Sequence, residues 1–367
     1  MNRSRRLRFA LALGAAVVAL AVLLAACGGS NSGSSGSSSP SAGTGGSSFV
    51  GSGSTFAQPL YTAWAQAYQG VGGVQLNYQG TGSSAGIAAI EAKTVQFGAT
   101  DAPLTESDLQ TNGLVQFPTA VGGTVVIVNL SGVPNGKLVL NGSTLADIYL
   151  GKITKWNDSA IKALNPGLSL PSTAIRVVHR SDGSGTSWIF TSYLSAVSPT
   201  WKSQVGADKS PGWPTGSGGA KSAGVATLVQ QYKGSIGYVE YTYAVQNHIS
   251  TVKMVNADGK TVAPNLAGFA AAAKNATWDP TQGFAQAIVN EPGATAWPIT
   301  GATYALVQKD QPSADTGKMI LKFFDWGYKS GAGQASSLDY VPIPASVYTT
   351  IEQQWSQIAA GGNPVWP

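Results

Sequence analysis

Apolar positions along the chain switch between two periods. The stretch "FVGSGSTFAQPLYTAWAQAY" from Phe49 reads as a strand end and a small-residue turn. Leu60, Trp64, Ala67 and Tyr68 then recur at the spacing of one helix face. "VQLNYQGTGSSAGIAAIEAKTV" repeats this order of strand, turn and helix, and "AIRVVHRSDGSGTSWIFTSYL" does so a third time. Between them, "QFGATDAP" predicts a short strand ending at Asp101, and "TAVGGTVVIVNL" is a long β-branched run. "TLADIYLGKITKWND" predicts a segment that is helical at first and ends near Trp156. "GSIGYVEYTYAV" and "AWPITGATYALVQ" predict strands, and "DTGKMILKFFDWGYK" and "SVYTTIEQQWSQIA" predict helices. Strands alternating with helices imply βαβ units and a largely parallel sheet, an α/β protein.

The first segment has a different character. Arg3, Arg5, Arg6 and Arg8 precede the apolar run "LALGAAVVALAVLLAAC". That run is shorter than the ~20 residues of a bilayer span and reads as a signal h-region. It ends in small residues directly before Cys27, the only cysteine of 367 residues, in the manner of a bacterial lipobox. The expectation is a signal peptide over 1–26 and a lipidated Cys27, with a Gly/Ser-rich flexible tether over 27–47. One cysteine excludes an intrachain disulfide. Without residues 1–26 and their four arginines, 18 basic residues face 17 acidic ones, so the chain is close to neutral. A basic, nucleic-acid-binding character therefore has no support, and no nucleic-acid partner is expected. The remaining ~320 residues are enough for two domains.

The three strand–turn–helix units share a device. Their turns read Gly51-Ser52-Gly53-Ser54-Thr55, Gly80-Thr81-Gly82-Ser83-Ser84 and Gly183-Ser184-Gly185-Thr186-Ser187. A helix N-terminus leaves about four backbone N–H groups unpaired and carries roughly half a positive charge. Hydroxyls add donors, and glycine allows a ligand close to the backbone. One such turn is ordinarily only an N-cap. Three of them, the third preceded by Arg180 and Asp182, point to a shared tetrahedral oxyanion. Asp101 repels an anion unless that anion brings a proton, as phosphate does and sulfate does not. Asp101 ahead of "APLTESDL" reads equally as a helix cap.

Several chemistries are poorly supported. Gly82 to Gly86 matches the G-x-S-x-G elbow of esterases, but only His179 and His248 exist as bases, His248 shows no acid partner, and a Gly/Ser-rich chain matches so short a pattern by chance. The turns lack the lysine of a phosphate-binding loop in nucleotide hydrolases. One cysteine and two histidines do not build a zinc site, and no metal or cofactor is expected.

From about Phe49 onward the chain resembles the phosphate-binding proteins of bacterial phosphate ABC transporters. The resemblance rests on "GSGSTFAQPLYTAW", "NYQGTGSSAGI", "FGATDAPL", "LADIYLGKITKWND", "RSDGSGTSWIFTSYL", "GSIGYVEYTYA", "AWPIT" and "LKFFDWGYK". It implies a two-lobed type II periplasmic binding protein fold with the ligand in the interlobe cleft. Lobe I is expected over 48–120 and 299–367 and lobe II over 121–298, with crossings near "FPTAVGG" and "AWPITG". It further implies that Thr55 and Phe56 offer backbone N–H groups, with the Thr55 hydroxyl added. Ser83 supplies a hydroxyl and Asp101 accepts the phosphate proton. Arg180 is the cationic ligand, oriented by Asp182, and Ser184, Gly185 and Thr186 complete the shell, with Ser54 in support. His179 stands where the family often has an arginine, and Ser52 and Ser54 where it often has alanine. The implied activity is binding of inorganic phosphate and delivery to membrane permease subunits, without catalysis, by a monomer tethered to the membrane through Cys27. A binder of a sulfate-like oxyanion and a phosphate-ester hydrolase on the same scaffold are the alternatives.

Overall fold

The long apolar run becomes the spine of the molecule. The computed structural model describes residues 47–366. The expected leader, Cys27 and the tether up to residue 46 lie outside them. In the Leu114–Asn129 strand every residue but the last is buried, which is why the run is continuous rather than alternating. Its first part pairs antiparallel with Thr300–Gln308, from Leu114 opposite Gln308 to Gly123 opposite Thr300. From Thr124 it pairs antiparallel with Ser235–Glu240 instead. One strand thus joins two sets of neighbours.

On one side the order continues outward from Thr300–Gln308 to Phe97–Thr100, Ser48–Gly53 and Gln75–Gly80. On the other it continues from Ser235–Glu240 to Arg176–Arg180 and Ser217–Gly219. The outer pairs are parallel, as βαβ units require. The sheet as a whole is mixed, not largely parallel. The two central strands, Leu114–Asn129 and Thr300–Gln308, lie antiparallel to one another, the first also to Ser235–Glu240 and the second also to Phe97–Thr100.

Both halves bury large aromatic groups. The Gln58–Gly72 helix buries Leu60, Tyr61, Trp64 and Tyr68. Ala67, expected on that face, is only half-buried, and Tyr61 takes the place against Phe97 and Phe324. The Ala314–Lys329 helix supplies Phe323 and Phe324 to the same cluster. Burying each such ring is worth roughly 2–3 kcal/mol. In the other half Phe190 stacks on Tyr238, with centroids 4.3 Å apart. Among the described residues no helix is long and apolar enough to cross a membrane.

Two elements end well inside their apolar patterns, the first where its pattern is helical only at the start and the second earlier than expected. The helix begun at Gly142 stops at Tyr149. Trp156 continues the apolar spacing because its ring is fully buried and its Nε1–H donates to Gly234 O at 2.9 Å, not because it is helical. The strand "SIGYVE" ends at Glu240, and Tyr241–Gln246 is a short helix. Glu240 caps it, accepting from the N–H groups of Thr242 (2.8 Å) and Tyr243 (3.0 Å).

Glu240 is fully buried opposite Thr124, where the spine changes partners. Desolvation pushes its carboxyl up to about 8, against the lowering effect of the two capping N–H groups. An acid raised in the folded state contributes stability that is fully present below its unfolded value and lost as pH rises through the folded one. The window here runs from about 4.5 to about 8. Urea midpoints of the wild type are expected to fall across that window. Those of Glu240→Gln should fall much less, and parallel curves would assign the pH dependence to other groups.

Candidate functional site

The three small-residue turns meet at one place. Each leaves the C-terminal end of a strand, at Gly53, Gly80 and Arg180, and leads into a helix starting at Gln58, Ser83 or Gly185. Thr55, Ser83, Asp101, Arg180, Ser184 and Thr186 are all buried, as are Phe56 and Ser54.

Asp101 lies at the centre. Its Oδ1 accepts from Ser54 Oγ at 2.5 Å, while its Oδ2 is buried and has no hydrogen-bond partner. Thr303 Oγ1 faces the same carboxyl and lowers its pKa, yet neither it nor Oδ2 completes a bond of normal geometry. Desolvation dominates and raises the carboxyl to about 6, against the lowering influence of Ser54, Thr303 and Arg180. An orphaned buried oxygen costs ~1–3 kcal/mol, and more when charged. Thr186 Oγ1 is likewise buried without a partner. A Cβ built on Gly185 would stand 2.7 Å from Asp101 Oδ2, so the helix that carries Thr186 begins directly against this carboxyl.

Arg180 is held from several sides. Its Nε and Nη2 donate to Asp182 Oδ1 and Oδ2 at 2.8 and 2.5 Å, and Nη1 donates to Thr55 Oγ1 at 3.2 Å. Its backbone N–H donates to Tyr238 OH at 3.2 Å. Burial works to raise the Asp182 carboxyl. Arg180, together with the Lys221 N–H at 2.8 Å, nevertheless holds it below the ordinary range. Asp182 therefore fixes the guanidinium in plane, as a bidentate pair does. Gly82, at φ 101°, sits over this pair, and a Cβ there would come 2.6 Å from Asp182 Oδ2.

Several donors of the site are paired with one another. Ser83 Oγ accepts from Gly185 N–H at 3.0 Å and from Asp101 N–H at 3.4 Å. Phe56 N–H donates to Ser54 Oγ at 3.0 Å. Ser184 caps its own helix, its Oγ accepting from Ser187 N–H at 3.2 Å. That is the ordinary role of a serine before a helix. Asp101 does not cap a helix. The Glu106–Thr111 helix is capped by Thr105 through a capping box with Asp108. His179 stacks on Trp213 with centroids 4.8 Å apart, and its Nδ1 lies 3.0 Å from Arg180 O. Burial lowers its pKa, which makes it a neutral wall rather than a second cation.

Two residues at the site were not among those expected. Tyr238 OH joins Arg180 N–H to Ser187 Oγ, and nothing in "GYVEY" marks it. Ser222 Oγ lies 2.9 Å from Thr55 Oγ1. It had a signal: "TGSGGAKSAGVATL" is a fourth small-residue turn ahead of a helix, here Lys221–Gln231. Among the described residues no group of acidic, histidine or cysteine side chains could hold a metal ion.

Comparison with known proteins places this arrangement in context. The PBP superfamily domain matches residues 37–329. The phosphate-binding protein PstS of Xylella fastidiosa strain 9a5c is 49% identical over 306 residues, covering 83% of this chain and 84% of that protein. The protein of the same name from Haemophilus influenzae is 49% identical over 308 residues, covering 84% of this chain and 92% of its own. A solved phosphate-binding protein from Stenotrophomonas maltophilia superposes with a TM-score of 0.70 at 18% identity, over 87% of this chain and 97% of that one. The likeness to the last is one of fold: the two-lobed type II periplasmic binding protein.

Proposed function

The chain belongs to the PstS family of phosphate-binding proteins within the PBP superfamily, and from that premise we propose that it binds inorganic phosphate outside the cytoplasm and presents it to the permease of an ABC importer. The observation that carries this reading is Asp101 Oδ2, a buried and unpartnered carboxylate oxygen at the meeting point of three anion-suited turns and an arginine. Only an oxyanion that brings a proton turns that oxygen from a liability into a bond. Phosphate at neutral pH has one.

On this reading phosphate takes donors from the Thr55, Ser83 and Thr186 hydroxyls, from the backbone N–H groups of Phe56 and Gly185, and from Arg180. Ser83 Oγ and Gly185 N–H exchange their mutual bond for bonds to the anion. Ser184 contributes as the cap of the Gly185–Val197 helix, whose N-terminus then faces the ligand. Asp182 and Ser54 orient Arg180 and Asp101. Lobe I comprises 48–120 and 299–367, and lobe II 121–298. The change of partner between Gly123 and Thr124 supports a hinge at the first crossing, with the second near Ile299. The ligand is carried as a monomer, without chemistry, by a chain tethered through a lipid on Cys27.

Isothermal calorimetry with phosphate and sulfate tests the reading, and comparable affinities for the two would overturn it. In the same assay Arg180→Ala should weaken phosphate roughly ten- to a hundredfold, the effect of losing a charge-assisted pair of ~1.5–3 kcal/mol. Arg180→Lys should not restore it, because an ammonium cannot hold Asp182 bidentately while reaching Thr55. Wild-type affinity in Arg180→Ala would assign the arginine to loop support alone.

A further inference from the structure

The Thr55 hydroxyl has more partners than hydrogens. It carries one hydrogen and two acceptor lone pairs. Arg180 Nη1 can only donate, so its 3.2 Å contact uses one lone pair. The contact to Ser222 Oγ at 2.9 Å can run either way. If Thr55 donated to Ser222, it would turn only its one remaining lone pair toward the ligand and would repel an anion. If Ser222 donates, both Thr55 lone pairs are filled and its hydrogen is free.

Ser222 can take the donor role. It is buried, and among the described residues Thr55 Oγ1 is the one hydrogen-bond partner of its hydroxyl. Its place is fixed by Asp182, which accepts from the N–H of the preceding Lys221 while holding Arg180. Lys221 adopts φ 61°, a conformation that side chains rarely take and that turns this N–H onto Asp182. The Asp182 carboxylate thus positions both groups that act on Thr55, the guanidinium and the serine.

We propose that Ser222 is a positioning residue for anion binding: its hydroxyl donates to Thr55 Oγ1 across the cleft and leaves the single Thr55 hydrogen to point at the bound oxyanion. This rests on the phosphate-receptor reading above. It also makes Ser222 part of the closed form, because Thr55 and Ser222 belong to the two halves of the sheet that the spine connects.

The test is a double-mutant cycle on the full chain, read by calorimetric titration with inorganic phosphate. Ser222→Ala should weaken binding about tenfold, the size of one lost hydrogen bond to a group that touches charge. In a Thr55→Val background the same change should alter affinity less than about twofold, because the group through which it acts is gone. Ser222→Thr, which keeps the donor, should bind close to the wild type. Equal losses in the two backgrounds would show that Ser222 acts independently of Thr55, as a merely structural residue would. That result, or no loss in either background, overturns the proposal. A wild-type chain that bound no phosphate would instead overturn the receptor reading, and the inference would go with it.

Discussion

Gly185→Ala is expected to reduce phosphate affinity on the order of a hundredfold while leaving the melting temperature of the unliganded chain nearly unchanged. The alanine Cβ would stand 2.6 Å from Asp101 N and 2.7 Å from both Asp101 Cβ and Oδ2. Carbon atoms pack at about 3.5–4.0 Å, so the two halves would have to stand off by about an ångström. The obstacle is a strand end rather than a flexible side-chain tip, and it cannot step aside. A stand-off of that size lengthens several polar contacts at once, and the loss of two or three of them at ~0.5–1.5 kcal/mol each amounts to about two orders of magnitude in affinity. Stability should be spared because Gly185 is the first residue of a helix, where alanine is the better helix former. On the proposed hinge reading, the clash is met when the two halves close around the ligand. Calorimetry and a thermal melt on the same sample check this. Wild-type affinity would mean that the approach of Gly185 to Asp101 is not the bound geometry. A large drop in melting temperature would move the effect from closure to folding.

Asp101→Asn should change selectivity more than affinity. The amide can both donate and accept, so phosphate keeps a partner and loses modestly. Sulfate no longer meets an unsatisfied carboxylate, and its affinity should rise about a hundredfold or more, given the cost of a buried charged group left unpaired. The wild type should show the same relaxation on acidification. The Asp101 carboxyl is raised from 3.8 to about 6, chiefly by desolvation, so it is ionised at pH 7–8 and takes up a proton as pH falls through about 6. Sulfate binding should then appear in the wild type and stay flat with pH in Asp101→Asn. A phosphate-to-sulfate ratio that the substitution leaves unchanged would sink the selectivity argument. Stability obeys the same sign. The raised acid contributes stability that is full below about 3.8 and lost as pH rises through 6. Asp101→Asn should therefore be at least as stable as the wild type at pH 8.

Asp101 and Glu240 differ in how much of their role the sequence makes readable. Asp101 could be read two ways from "ATDAPLTESDL", as a helix cap or as a proton acceptor. Thr105 takes the cap in the structure, and Asp101 is left facing inward. The distinction depends on Ser54 and Thr303, which directly follow or belong to the two strands that flank Phe97–Thr100 in the sheet and lie 47 and about 200 residues away along the chain. Glu240 in "YVEYTYA" gave no strong signal as a cap because the apolar pattern runs unbroken through it into the Tyr241–Gln246 helix.

Local chemistry is readable along the chain. The turns before the helices at Gln58, Ser83 and Gly185, the pairing of Arg180 with Asp182 two residues away, and the buried run of the spine depend on neighbours along the chain, and each was readable there. Which turns meet is settled by long-range strand pairing. Thr55 and Arg180 are 125 residues apart, Ser83 and Gly185 are 102 apart, and Thr55 and Ser222 are 167 apart. Those meetings follow from one strand pairing with two different partners on either side of Gly123, a register that no local pattern encodes. The same change of partner makes the sheet mixed where the strand–helix alternation implied a parallel one. It also sets Ser222, a residue of a fourth and unremarked turn, against the first.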